Sequence, residues 1–291
     1  MAQKPYLSEL ARIANSAARK RTGAKSAAHE DLPIGVESVE GWYGRVEGLI
    51  VEPARSAPVP DVPWKQTASR KAFRLIDPSP EDIDFDVDIA GELSRLARFT
   101  GDIRGGAYSV GQHSVVGGDV LMVETGDPEL AAAFVLHDAH EGPIGDIATP
   151  AQDAINWHLQ EILFEHGLSD LVNSIPKIAG SELFKRALKR LKGDLDKAIY
   201  RAAGMRWPLP HSIVQQVRIM DLRMLAAEVD AFMGGEVAPW GVLVDIRKNY
   251  SIPDLRPIGI WPAEVAETRF QEALRRYLPE RFPHPAFSIE D

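Results

Sequence analysis

Ala133-Phe134-Val135-Leu136-His137-Asp138-Ala139-His140-Glu141 decides how the rest of the chain reads. An apolar run that ends in an adjacent imidazole and carboxylate can hold one metal ion. Asp127-Pro128 just upstream is a helix-start signal, with Asp as N-cap and Pro at the first helical position. The run is therefore expected to be a buried helix that delivers His137 and Asp138 at its end. Helix neighbours diverge by about 100°, yet both can reach an ion lying between their directions. Glu141 follows one turn after His137, near such an ion without needing to bind it, which suits a proton-transfer group.

Two further segments supply the same chemistry. Tyr108-Ser-Val-Gly-Gln-His113-Ser-Val offers a second imidazole on an amphipathic stretch, and Val217-Arg-Ile-Met-Asp221-Leu-Arg-Met-Leu offers a carboxylate. Ile213, Val217, Met220 and Met224 recur at helical spacing around Asp221, with Ser212 as the expected cap. A carboxylate beside an apolar stripe needs a partner, either a metal ion or Arg218. The set His113, His137, Asp138 and Asp221 suits Mn, Fe, Co, Ni or Zn, because Ca and Mg favour all-oxygen shells. Four protein ligands on an ion that accepts five or six leave room for water and a substrate oxygen.

Around this set, Ile89, Leu93, Leu96 and Ala97 recur at helical spacing before Gly101. That places Arg98 near a helix C-terminus, where it either complements the helix dipole or faces a substrate phosphate. Gly142-Pro143 and Gly145 are expected to interrupt the helix after Glu141, and Thr149-Pro150 to open the next one. Asp146, in the turn between them, either caps Thr149 and its neighbours or orients water or a substrate hydroxyl. His140 and His158 read as packing or surface residues. Glu182 to Ala203 reads as a helix whose basic face, including Lys185, Lys189 and Lys192, is either solvated or a nucleotide lid. Pro262 is expected in the first turn of a closing amphipathic helix over 263–278.

Several of these blocks, taken in order, resemble the HD-domain phosphohydrolases. They are Ile83-Asp-Phe-Asp-Val-Asp-Ile-Ala, Leu96-Ala-Arg98-Phe99-Thr-Gly, the His113 and His137-Asp138 segments, and Gly145-Asp146-Ile-Ala-Thr149-Pro150. The chain is most similar to the bacterial HD-domain 5′-deoxynucleotidases and their phage-type relatives, over about residues 76–280. The resemblance implies an all-α, HD-domain helical bundle with one divalent transition metal on His113, His137, Asp138 and Asp221. It implies Glu141 as catalytic acid, Asp146 as a second acid that also contacts substrate, and Arg98 on the phosphate. Phe99 falls where the family places an aromatic near the sugar, consistent with 2′-deoxy substrates. Two positions depart from the branch: Asp102 stands where it often carries His, and Ala151-Gln152 where it often carries Lys after Thr-Pro. The implied reaction is hydrolysis of a (deoxy)nucleoside 5′-monophosphate to nucleoside and phosphate. Alternatives are a triphosphohydrolase or alarmone pyrophosphohydrolase of the same superfamily, and a non-catalytic nucleotide-binding module. Glu141 and Asp146 argue against the last, since binding alone needs neither.

Composition sets the outer bounds. The 291 residues, 45% hydrophobic, suffice for one large core or a core with an appendage. A formal net charge of −9 disfavours sequence-independent binding to duplex nucleic acid, which rests on phosphate neutralisation. A small nucleotide needs only local positive charge and a metal. With no cysteine, thiol catalysis, Cys-based zinc sites and disulfides are excluded. No apolar run approaches the roughly 18 residues of a membrane span, and no signal-peptide centre is legible, so a cytoplasmic location and no membrane partner are expected; a homodimer is compatible with this reading. Lys4 to Lys25 is basic and rich in Ala and Ser, as transit peptides are, but reads as a solvated amphipathic helix. The Gly41–Val51 stretch suggests a short hairpin, and the prolines of Pro53–Trp64 a linker or extended strap. Residues 1–70 are thus expected to form an N-terminal extension to a catalytic unit over 71–291. No internal repeat, P-loop, dinucleotide fingerprint or serine nucleophile elbow is legible in the chain.

Overall fold

The computed structural model describes residues 61–168, 182–234 and 237–283. The helix expected near Lys4–Lys25, the hairpin at Gly41–Val51 and most of the proline-rich stretch lie outside these residues. The described chain is all-α apart from one small hairpin. Strands β1 (Trp64–Gln66) and β2 (Ala72–Arg74) pair antiparallel, Lys65 opposite Phe73. The helices follow as α1 (Ala90–Arg95), α2 (Val110–Thr125), α3 (Pro128–Leu136), α4 (Glu141–Ile144) and α5 (Thr149–Glu165). After the break come α6 (Leu183–Ala202), α7 (His211–Glu228), α8 (Gly241–Asn249) and α9 (Ala263–Tyr277). No helix of the described residues is long and apolar enough to cross a membrane.

At the centre lie α2 and α3, both buried almost throughout. Asp127 caps α3 as expected: its Oδ1 accepts from the amides of Glu129 and Leu130, and Pro128 opens the first turn. Ser109 caps α2 by accepting from Gln112 N. The two helices touch through Gly117 and Gly118, where the absence of side chains permits close approach. A methyl group on Gly117 would lie 2.1 Å from Phe134 Cε1, and one on Gly118 2.7 Å from Val135 Cγ2. Phe134, Leu93, Ile199, Met224 and Phe270 fill the surrounding core. Each such burial contributes about 1.5–3 kcal/mol.

The remaining helices fix this pair in place. Helix α9 covers α1, α2 and α3, and α8 packs on α7 through Leu243 and Ile246. Arg223 of α7 forms a two-pronged ion pair with Glu124 at the end of α2, 2.7 Å at each oxygen, and donates from Nε to Ser251 O. The hairpin belongs to the same body. Lys65 Nζ donates to Gly142 O (3.0 Å) and pairs with Glu92, while Ser69 donates from N and Oγ to buried Asp88. The pair of strands straddles the boundary expected at 70/71.

Four local expectations are corrected. Helix α1 stops at Arg95, and Leu96 and Ala97 are extended, with Ala97 bridging Ser109; Arg98 therefore caps no helix. Ser212 lies inside the first turn of α7, because Pro210, at φ −54° and ψ 140°, takes the N-cap position. Pro262 likewise is the N-cap of α9, one residue before its first turn. Gly142-Pro143 does not interrupt the chain but lies within α4, which Gly145 ends at φ 84°.

Candidate metal centre

Helices α2, α3 and α7 bring His113, His137, Asp138 and Asp221 together, with one donor atom from each within 4.8 Å of the others. His113 Nε2 lies 3.5 Å from His137 Nε2, 3.8 Å from Asp138 Oδ2 and 3.4 Å from Asp221 Oδ1. His137 Nε2 lies 3.1 Å from Asp138 Oδ2 and 3.8 Å from Asp221 Oδ1. An ion with bonds of about 2.0–2.2 Å separates adjacent ligands by roughly 3–3.6 Å. The donors therefore stand close to the spacing that one metal ion requires.

Both imidazoles are held with Nε2 towards the other donors. Glu228 accepts from His113 Nδ1 at 2.5 Å, and the carbonyl of Phe134 accepts from His137 Nδ1 at 2.7 Å. A carboxylate or carbonyl on Nδ1 aims Nε2 at the other donors, the orientation that metal-ligating histidines use. The Phe134 ring lies against both imidazoles, with centroids 5.5 and 4.4 Å away. It limits how far either ring can turn.

Electrostatics point the same way. Burial pulls the His137 imidazolium down, but Asp138 and Asp221 outweigh it and hold the group well above the usual histidine range. Burial pushes Asp138 up, yet His137 and His113 keep it far below the usual carboxylate range. Asp221 behaves alike, held down by hydrogen bonds from His113 and His137 against its burial. These carboxylates favour a positive neighbour. A bound metal cation would fill that role.

Arg98 reaches the same edge. Its Nε donates to Glu228 Oε2 (3.1 Å), and its Nη1 stands 3.5 Å from Asp138 Oδ2. Burial opposes its charge, but Glu228, Asp221 and Asp138 hold it above the ordinary arginine value. A guanidinium has five N–H donors, so donors remain after Glu228 is satisfied. Phe99 and Thr100 adopt φ of 56° and 55°, a left-handed conformation uncommon for non-glycine residues. The turn sets Arg98 Cζ 5.7 Å from the Phe99 ring. That makes Phe99 a brace for Arg98.

Glu141 is buried beside the cluster, with Oε1 accepting from Lys192 Nζ (3.2 Å). Burial and then Asp138 push its carboxyl up to about 8, against the pull of Lys192. Asp146 is half-buried and also raised, by burial and by Asp138, while Arg98 and Lys192 oppose the shift. The start of α5 has Ala148 as N-cap with no side-chain cap bond, so capping does not account for Asp146. His140 is buried, and its Nδ1 donates to Asp196 Oδ1 at 2.8 Å. His158 is exposed.

Glu228 and Asp196 were not anticipated as site residues, and Lys192 only as part of a basic face. Lys192, Asp196 and Tyr200 follow at four-residue intervals on one face of α6, meeting Glu141, His140 and the carbonyl of Ala133 in turn. That spacing was the available signal, within what read as a solvated basic face. Glu228 stands two turns after Asp221 on α7 and is fully buried.

No protein-family model matches the chain. An uncharacterized protein of Rhodobacter capsulatus is 36% identical over 97 residues, covering 32% of this chain and 48% of that protein. The chain thus spans about half the length of the curated relative it matches.

Proposed function

We propose that the chain is a metal-dependent phosphohydrolase of the HD-domain type, hydrolysing (deoxy)nucleoside 5′-monophosphates to nucleoside and phosphate. The observation that carries this reading is the preset ring of His113, His137, Asp138 and Asp221 with a separate, desolvated Glu141 beside it. A site that only bound a metal would have no use for a buried carboxyl that keeps its proton near neutral pH. A divalent ion on those four residues supplies Lewis-acid polarisation of a phosphoryl oxygen and of water.

In this reading the chain's own residues divide the remaining work. The free N–H groups of Arg98 face the phosphoryl group and offset its charge, while Glu228 and Phe99 keep the guanidinium in place. Water attacks phosphorus as the bond to the 5′-oxygen breaks. Glu141 gives its proton to that leaving oxygen. Asp146, at the same edge, orients the water or a substrate hydroxyl. Lys192 adds positive charge to an otherwise acidic surround.

Product analysis tests the substrate class. Purified protein supplied with Mn²⁺ or Co²⁺ should release inorganic phosphate and nucleoside from a panel of deoxynucleoside 5′-monophosphates. Release of intact triphosphate from deoxynucleoside triphosphates, with monophosphates inert, would overturn the monophosphate assignment.

A further inference from the structure

We propose that Asp138, His140 and Glu141 form a second, weaker site for a divalent transition metal, and that an ion there inhibits the chain by capturing Glu141. The inhibitory half rests on the reading of Glu141 as proton donor; the site itself does not.

One donor atom from each of the three residues lies within 4.8 Å of the others. His140 and Glu141 are each only 6% exposed. Because Asp196 accepts from His140 Nδ1, the lone pair of His140 sits on Nε2, and that atom has no hydrogen-bond partner. Lys192 occupies Glu141 Oε1, and Oε2 is likewise buried and unpartnered. A buried polar atom left unsatisfied costs about 1–3 kcal/mol. The two orphaned atoms do not bond each other, yet a single third atom can reach both.

The nature of that third atom follows from the donors. A cation that displaces the Glu141 proton meets a ring-nitrogen lone pair and two carboxylates as three converging acceptors. Charge favours a cation as well. Carboxylates of Asp138, Glu141, Asp146, Asp196, Asp221 and Glu228 surround the two sites, against the cations Arg98 and Lys192. With neutral imidazoles and the Glu141 proton in place, that leaves a formal excess of three negative charges, more than one divalent ion removes. One imidazole and two carboxylates suit Zn²⁺, Co²⁺ or Mn²⁺ rather than Mg²⁺ or Ca²⁺.

Affinity should be lower than at the first site for two reasons. Asp138 is shared between the sites, and the Lys192 ammonium stands 3.2 Å from Glu141. Asp196 orients His140 as the outer partner of a ligating histidine does, and loss of such a partner typically costs 10–100-fold in metal affinity.

The test uses the full chain loaded with one equivalent of Co²⁺ and titrated with further Co²⁺, reading bound ions per chain by native mass spectrometry alongside phosphate release. A second ion should bind at a concentration at least about tenfold higher than the first, with hydrolysis falling in step, and Mg²⁺ should not reproduce the fall. Asp196→Asn should weaken the second ion by about 10–100-fold and His140→Gln should remove it, both keeping the first. Asp196→Asn leaves every ligand in place, so it serves if His140→Gln does not fold. One ion per chain throughout, or a second ion indifferent to the variants that fold, overturns the site. A second ion that responds to the variants while hydrolysis holds steady overturns the inhibition. If no phosphate ester is hydrolysed even with one ion bound, the proposed function fails with the inhibition, and the ion count still decides the site.

Discussion

Glu141→Gln keeps the size of the side chain and much of its hydrogen bonding but removes the proton that a carboxylic acid can give. Turnover should fall by roughly 10²–10⁴-fold, the usual contribution of a positioned acid, while metal content measured on the same sample persists. Near-normal turnover in the fully metallated variant would move the proton to Asp146 or solvent. Loss of the first ion would make Glu141 one of its ligands. The same residue leaves a thermodynamic signature in metal-free protein. Its carboxyl is raised from 4.5 to about 8 by burial and by Asp138, so between those values the folded chain binds more protons than the unfolded one. Stability should therefore fall as pH rises through that window, with Glu141 adding up to about 1.4 kcal/mol per pH unit to the slope. Urea unfolding of chelated wild type and Glu141→Gln should diverge accordingly; parallel curves from pH 5 to 8 would contradict the shift.

Metal geometry at the level of elements depends on how closely α2 and α3 approach. Gly117→Ala would put a methyl group 2.1 Å from the Phe134 ring, which also lies against His113 and His137. Overpacking of this kind typically costs about 1–3 kcal/mol. The variant should lose that much in denaturant unfolding and bind the first metal more weakly, whereas unchanged metal affinity would show that the imidazoles do not depend on Phe134. Helix α3 was legible because its signals agree: Asp127 as cap, Pro128 in the first turn and an unbroken apolar run. Asp221 was legible from periodicity, although the start of α7 was misread, since Ser212 is a good cap but the preceding Pro210 already holds the extended conformation a cap needs. Periodicity also failed at Arg98, because Leu96 and Ala97 continue the helical spacing while the backbone turns out to meet Ser109. Glu228 and the Lys192–Asp196 pair escaped notice for a different reason. Their partners are more than fifty residues away in sequence, and local patterns cannot distinguish a charge that faces solvent from one that faces another helix.

The whole molecule includes the hairpin, which an N-terminal boundary at 70/71 would cut. Removing residues 1–60 should leave a folded bundle that binds the first metal, whereas starting at Lys71 deletes β1 along with the contacts of Lys65 and Ser69 to Gly142, Glu92 and Asp88. The shorter chain should melt at a lower temperature; equal melting temperatures would show that the hairpin adds nothing to the bundle. The central claim, that one metal ion on His113, His137, Asp138 and Asp221 supports phosphomonoester hydrolysis, is tested most directly by titrating exhaustively chelated protein with Mn²⁺ or Co²⁺ while measuring phosphate release from a deoxynucleoside 5′-monophosphate. Activity should be absent without metal and should rise with the first equivalent bound, and His137→Ala should lose metal and activity together. Full phosphate release from metal-free protein would contradict the account.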